Sequence, residues 1–440
     1  MVSSNQKPFP DICKYYFKRY TSLDIRISST ISKGTQQIVV IPALNEANIT
    51  KTLSSLTDCE EPNCEVAVIV VVNSSESASD DVIRQNEACL TEIRAFRENK
   101  EKSWLAVHYL HAPRLSDKNA GVGMARKIGM DEALRQFGSI DVNGVIICLD
   151  ADCTVKPNYF KAIAEHYSKE ERSACIYFEH DWGEEPDPIL ISGIVNYELS
   201  LRYFVEGLKF AGFSNAYHTV GSCMTVSAET YALVGGMNKR QAGEDFYFIN
   251  KLIPIGGFGT ITETCVYPSC RTSNRVPFGT GKALMDWKAH KYEEQAGQFL
   301  SYDLRTFRDI KLSLPLLPEF YKCIGIKEVN AALAKFPDSI HDFFSTGEFL
   351  EKVQELQRET GSAEKFNSKL LLWWSGLRMI KYVHFARDNY YPLTQLTESA
   401  KALLKEIGVH TAQTDSIELL NCYRAEEIRL GQHPKQGQPK

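Results

Sequence analysis

Apolar residues follow two rhythms along this chain, and the rhythm changes twice. From residue 36 to about 160, short apolar runs alternate with amphipathic stretches. Residues 37–41 form a β-branched run closed by Pro42. Residues 66–72 are continuously apolar, the pattern of a strand buried on both faces. Residues 105–110 and 145–149 supply two more strand-length runs. Between the runs, residues 50–56, 80–100 and 123–137 predict helices, the last with Met124, Ile128 and Leu134 on one face. Strands alternating with helices over short connections predict an α/β fold, a mostly parallel sheet covered by helices.

The pattern then becomes mixed. Residues 174–179, 222–226 and 261–267 read as further strands, and 189–210 as a long aromatic-rich helix. After about 283 only helices are predicted. Ser345-Thr346-Gly347-Glu348 has the spacing of a capping box opening a helix to residue 358, and 370–382 and 396–407 are helix-like. Trp373-Trp374 falls inside such a run and reads as core rather than as a sugar platform. At 440 residues the chain exceeds one typical hydrophobic core. The division expected is a lead-in over 1–35, an α/β domain over 36–282, an all-helical domain over 283–430 and a polar, disordered tail over 431–440.

Composition narrows the class. The chain is 43% hydrophobic and 24% charged, ordinary for a globular protein, and its net charge of −5 gives no nucleic-acid surface. No apolar stretch approaches the roughly 20 residues of a membrane span. Residues 1–10 are polar and lack the core of a signal peptide. Twelve cysteines without a C-x-x-C pair fit reduced thiols and a cytoplasmic location. The sequons at Asn48 and Asn73 then count as chance matches.

The chemistry gathers at the ends of predicted strands. Asp150-Ala151-Asp152 follows the run 145–149. If extended geometry continues, both carboxylates face one side at the carboxyl end of a strand, where open α/β sheets bind ligands. Two like charges there call for a cation, and a divalent ion carrying a diphosphate supplies it. Acidic residues are also ordinary where a strand meets a turn. Asn45 and Glu46 follow Pro42, where capping a helix would explain them equally. Asn73-Ser74-Ser75 suits either contacts to a base or ribose, or a turn. From Lys118 to Arg126, glycines precede a helix N-terminus that suits an anion, yet the segment is neither a Walker A sequence nor a Rossmann fingerprint. Val234-Gly235-Gly236 and Gly243-Glu244-Asp245 complete the series.

In this order, P-x-x-N-E, V-V-N-S-S, N-x-G-x-x-x-A-R, D-A-D, V-G-G and G-E-D resemble the family-2 glycosyltransferases with their GT-A fold, over residues 36–282. The resemblance implies that Pro42, Asn45, Glu46 and Asn73 line the donor nucleotide's pocket. Many relatives carry aspartate at the position of Asn73. It implies Lys118 and Arg126 near ribose and diphosphate, Asp150 near ribose or a metal-bound water, and Asp152 as ligand to Mg²⁺ or Mn²⁺. Asp245, beside Glu244, matches the base that activates the acceptor; a solvated helix start is the plain alternative.

The segment from Tyr267 to Gly281 holds Arg271 and Arg275 among turn residues. It suits a lid that grips anions, or a plain surface loop. A gripping lid makes a small anionic acceptor worth testing. His180 is as well explained by structure as by sugar contact, and His290 is a candidate to complete a metal shell. The Q-x-x-R-W sequence of processive relatives is absent and Trp287 stands alone, which argues for non-processive transfer. The resemblance implies a metal-dependent hexosyltransferase using a nucleotide-sugar donor; inversion is inherited from the family, and the same fold also includes retaining enzymes. Two rivals are a non-catalytic sugar-nucleotide-binding or scaffold protein and a nucleotidyltransferase. The latter is disfavoured because no Arg- and Lys-bearing glycine loop follows the first strand.

Overall fold

The computed structural model describes residues 8–20, 23–100, 102–169, 171–183, 185–213, 215–273, 279–292 and 299–432. In chain order the first elements are α1 (Phe9–Arg19), β1 (Thr35–Ala43), α2 (Ile49–Thr57), β2 (Glu65–Ser75), α3 (Asp80–Lys100), β3 (Leu105–Leu115) and α4 (Val122–Ile140). Then come β4 (Val145–Cys148), β5 (Thr154–Val155), α5 (Tyr159–Tyr167), β6 (Ser173–Phe178) and α6 (Pro188–Phe210). β7 (Met224–Ser227), α7 (Ala228–Leu233), α8 (Glu244–Leu252), β8 (Phe258–Tyr267) and α9 (Thr280–Tyr292) follow.

β1 to β8 form one sheet in the order β3-β2-β1-β4-β7-β6-β8-β5. The first four are parallel neighbours, as the alternating pattern predicts. From β7 onward the sheet is mixed, with β7 antiparallel to both β4 and β6, β5 antiparallel to β8 and β6 parallel to β8. Ile38 to Ile41 and Val68 to Val72 are wholly buried, because both faces of the central strands are covered. On α4, the place of a Cβ on Gly129 lies 2.4 Å from a methyl of Val40, so only glycine lets this helix lie so close to β1. This is the GT-A architecture expected.

The residues cluster into two units, 1–186 with 219–285, and 187–218 with 286–440. α6 therefore groups with the helical unit and not with the sheet. That unit continues with β9 (Leu300–Ser301), α10 (Leu304–Ser313), α11 (Ile326–Leu333), α12 (Asp338–Phe344), α13 (Glu348–Glu359), α14 (Ala363–Trp373) and α15 (Leu377–Asn389). β10 (Thr394–Gln395), α16 (Leu396–Glu406) and α17 (Ser416–Gln432) complete it. Its core is aromatic. Phe344 stacks on Phe349 with ring centres 3.9 Å apart, and the fully buried Trp374 meets Phe344 and Tyr382 edge-on. α6 also carries charge inward. The buried Arg202 pairs with Glu198 at 2.9 Å and with Glu427 of α17, and Arg424 of α17 pairs with Glu198 at 2.8 Å.

Four sequence expectations are corrected here. The capping box does not form, because Ser345 ends α12 and its hydroxyl donates to the carbonyl of His341 at 2.8 Å; Gly347 precedes α13 instead. The helix expected over 370–382 is broken between α14 and α15, where Gly376 takes a positive φ of 57°. The helical region contains one small antiparallel pair, β9 with β10. Residues 431 and 432 continue α17, while the rest of the expected tail lies outside the described residues. No helix among the described residues is long and apolar enough to cross a membrane.

Candidate active site

The parallel strands bring their carboxyl ends together, and the sequence segments arrive there in the first unit. β4 ends at Cys148, and the amide of Leu149 still bonds Val40 at 3.1 Å. Extended geometry then stops. The Cys153 amide closes a turn onto the Asp150 carbonyl at 3.1 Å. Asp150 and Asp152 therefore do not share one partner, as continued strand geometry would have it. Each meets its own arginine.

Arg126, one turn into α4, is buried and bridges Asp150 and Glu244. Burial by itself disfavours its charge, but the two carboxylates more than offset this and hold the guanidinium protonated. The place of a Cβ on Gly221 lies 2.4 Å from that guanidinium, so glycine is needed for Arg126 to lie there. Burial raises the carboxyl of Glu244 above its ordinary range, with Arg126 pulling the other way. Asp245 is raised for the same first reason, against Arg126 and the Phe246 amide, which donates to its Oδ1 at 2.7 Å. Both acids stand in the first turn of α8, after Gly243 at φ 69°.

Arg271 follows β8. Antiparallel pairing of β5 with β8 sets Thr154 opposite Tyr267, which carries the chain after β8 back beside the acidic triplet. The Arg271 fork donates to both oxygens of the buried Glu46, at 2.8 and 2.5 Å. Its Nε lies 2.8 Å from Asp152. Burial opposes its charge; the bonds to Glu46 and the charge of Asp152 outweigh this and raise its pKa. Arg271 is thus engaged by the protein's own carboxylates.

The remaining predicted residues form the rim. Pro42 lies within β1 opposite Val71, half-buried. Asn45 is exposed at a left-handed φ of 51°, its amide donating to Asn86 at 2.9 Å. Asn86 in turn donates to the Asn73 carbonyl at 2.9 Å, and the buried Asn73 side chain donates to the Ala120 carbonyl at 3.0 Å. Lys118 is exposed in a short turn before α4. His180 is buried edge-on to Phe178. Trp287 lies in the second unit, its ring 5.5 Å from Phe299. Arg275 and the side chain of His290 lie outside the described residues.

Sequence reasoning missed Asn86, which ties the ends of β1 and β2 together. Its signal is an asparagine on the apolar stripe of α3, in step with Cys89, Leu90 and Ile93, all buried. It missed Thr52 too, whose hydroxyl fixes the Ala151 carbonyl at 2.8 Å. The glycines before α4 have a different cause from anion binding alone. Cβ atoms on Gly121 and Gly123 would lie 2.6 Å from the Gln241 Cα and 2.2 Å from the Arg240 carbonyl. They let the segment leading to Glu244 pack against the start of α4.

Among the described residues no three His, Cys, Asp or Glu side chains form a metal cage. Mg²⁺ bound with a diphosphate needs only one or two protein carboxylates, the phosphates and water supplying the rest. Asp152, with its side chain 27% exposed, fits that demand.

The family described as Glycosyl transferase family 2 matches residues 38–231. Among solved structures, residues 1–349 of S. aureus TarS in complex with UDP-GlcNAc align with 13% identity and a TM-score of 0.38, covering 77% of this chain and 89% of that one. The same fragment in complex with UDP aligns with 12% identity and a TM-score of 0.36, over the same shares. No curated protein sequence matches the chain. With the six motifs in order along this unit and the family match across the centre of its sheet, residues 38–231 carry a family-2-like glycosyltransferase domain.

Proposed function

We propose that the enzyme moves a hexose from a nucleotide-diphosphate donor to an acceptor hydroxyl, with Mg²⁺ or Mn²⁺, in a single inverting and non-processive displacement. One observation carries this reading. The buried Arg126 joins the half-buried Asp150 of the acidic triplet to the buried Glu244 at the start of α8, so donor-side and acceptor-side carboxylates are held together. Asn45, Glu46, Asn73 and Lys118 suit the donor's nucleoside and phosphates. Asp152 suits the metal, which when bound supplies positive charge to the diphosphate. Arg126 stays charged beside Asp150 and stabilises negative charge that grows nearby.

In the transfer step the acceptor oxygen forms a bond to C1 of the sugar. The C1–O bond to phosphate breaks, and its electron pair leaves on the nucleoside diphosphate. Asp245 takes the acceptor's proton. A carboxyl raised by burial is a stronger base than an exposed aspartate, as general-base work needs.

Release of nucleoside diphosphate from a panel of sugar nucleotides, with and without Mn²⁺, tests the reading. Metal-dependent release supports it; none from any donor refutes it. Asp152→Asn should then weaken metal-dependent binding of nucleoside diphosphate in calorimetry. An unchanged affinity and metal dependence would remove Asp152 from the metal site.

A further inference from the structure

The helical unit contains a pocket lined by none of the residues assigned to sugar transfer. It is an open cavity of about 420 Å³ lined by Glu348, Glu351, Lys352, Glu355, Trp373 and Arg378. That size lies within the range of about 300–1,000 Å³ typical of small-molecule sites. The local sequence builds it from two glycine turns. Gly347, at φ 22°, opens α13 and sets Glu348 and Glu351 in its first turn. Gly376, at φ 57°, separates α14 from α15, leaving Trp373 at one helix end and Arg378 at the next helix start. Of the two tryptophans, Trp374 is core and Trp373 turns outward to the cavity.

The walls select a chemistry. The Arg378 guanidinium sits over the Trp373 ring, 4.4 Å from its centre, which occupies that ring face and leaves no place there for another cation. The Arg378 Nε is buried without a hydrogen-bond partner, since Glu348 stays 3.7 Å away. Lys352 is held by Glu355 at 2.5 Å. Three carboxylates repel an anion, while Arg378 and Lys352 bring the rim close to neutral and give a cation no strong preference. Fixed acceptors and fixed donors side by side suit hydroxyl groups, which both donate and accept. An adjoining recess of about 120 Å³ is walled in part by the half-buried Phe343 and Trp373, which offer apolar surface to C–H faces.

We propose that this pocket binds a neutral carbohydrate chain, with sugar hydroxyls between Glu351 and Arg378 and the C–H faces toward the aromatic recess. Binding here stands apart from the proposed sugar transfer in the other unit, so binding decides the test and nucleoside diphosphate release serves as its control. The full chain is titrated in a calorimeter with neutral oligosaccharides of glucose and of N-acetylglucosamine. A uronic-acid oligomer and a polyamine serve as charged controls. At least one neutral chain should bind. Glu351→Ala and Arg378→Ala should each weaken it about tenfold or more, the loss expected for a hydrogen bond to a charged group. Glu351 is exposed, so its variant keeps the fold, which circular dichroism verifies. Release of nucleoside diphosphate should be unchanged in both variants. No binding of any neutral chain, binding of charged controls alone, or undiminished binding in both variants would each overturn the proposal.

Discussion

At the scale of single residues, this site is a problem of charge. Buried carboxylates are costly unless cations answer them, and here two arginines serve four acids. Arg126→Met should therefore cost about 3–5 kcal/mol, because it strands Glu244 and Asp150 together. Urea unfolding measures this, and a loss below about 1 kcal/mol would mean the pair is not what holds α4 to α8. Asp245 makes a different prediction. Asp245→Asn keeps the shape but cannot take a proton, so kcat should fall about 10²–10⁴-fold while donor affinity stays near wild type. Burial holds the Asp245 carboxyl above its ordinary range. A base must be deprotonated, so the acid limb of kcat should lie above the usual aspartate value of about 3.9. A variant within threefold of wild type would show that another group is the base.

At the scale of elements, α6 and α17 are joined by buried charge rather than by apolar contact alone. Burial by itself would raise the Glu427 carboxyl; Arg202 and then His218 outweigh this and bring it down to about 2. A lowered carboxyl contributes stability that is present above its unfolded value and lost as pH falls through the folded one. Wild type should thus lose stability between pH about 4.5 and about 2, and Glu427→Gln should lose less over that window. Denaturant midpoints across the window decide this; parallel curves for the two proteins would show the clamp is not linked to pH.

Elements also differ in how legible they are. β1, β2 and β4 are readable because strands covered on both faces must be continuously apolar. The α13 start is not, because Ser345 at the end of α12 competes for the same local hydrogen bonds that a capping box would use. Asp150-Ala151-Asp152 is legible as a site, but its partners are not. Glu46 and Arg271 lie 225 positions apart and meet only because β5 pairs with β8. Asn86 escapes for the opposite reason: its role depends on strand ends that only the folded sheet brings within its reach.

At the scale of the whole molecule, the arrangement predicts how ligands act together. Glu46, Asp150, Asp152, Glu244 and Asp245 converge with Arg126 and Arg271 beyond the carboxyl ends of the central strands. A nucleoside diphosphate adds further negative charge, so it should bind poorly alone. A divalent cation alone meets Asp152 already in contact with Arg271, and should also bind weakly. Each ligand lowers the cost of admitting the other, and by linkage the gain is mutual. A coupling of about 1–3 kcal/mol is typical of such pairs. Thermal unfolding with Mn²⁺, with nucleoside diphosphate, and with both should therefore show a midpoint rise with both that exceeds the sum of the separate rises. Arg271→Ala should enlarge the shift from Mn²⁺ alone, because the Arg271 contact that competes for Asp152 is then removed. Additive shifts in the wild-type protein, or a metal response unchanged by Arg271→Ala, would show that the cation binds elsewhere.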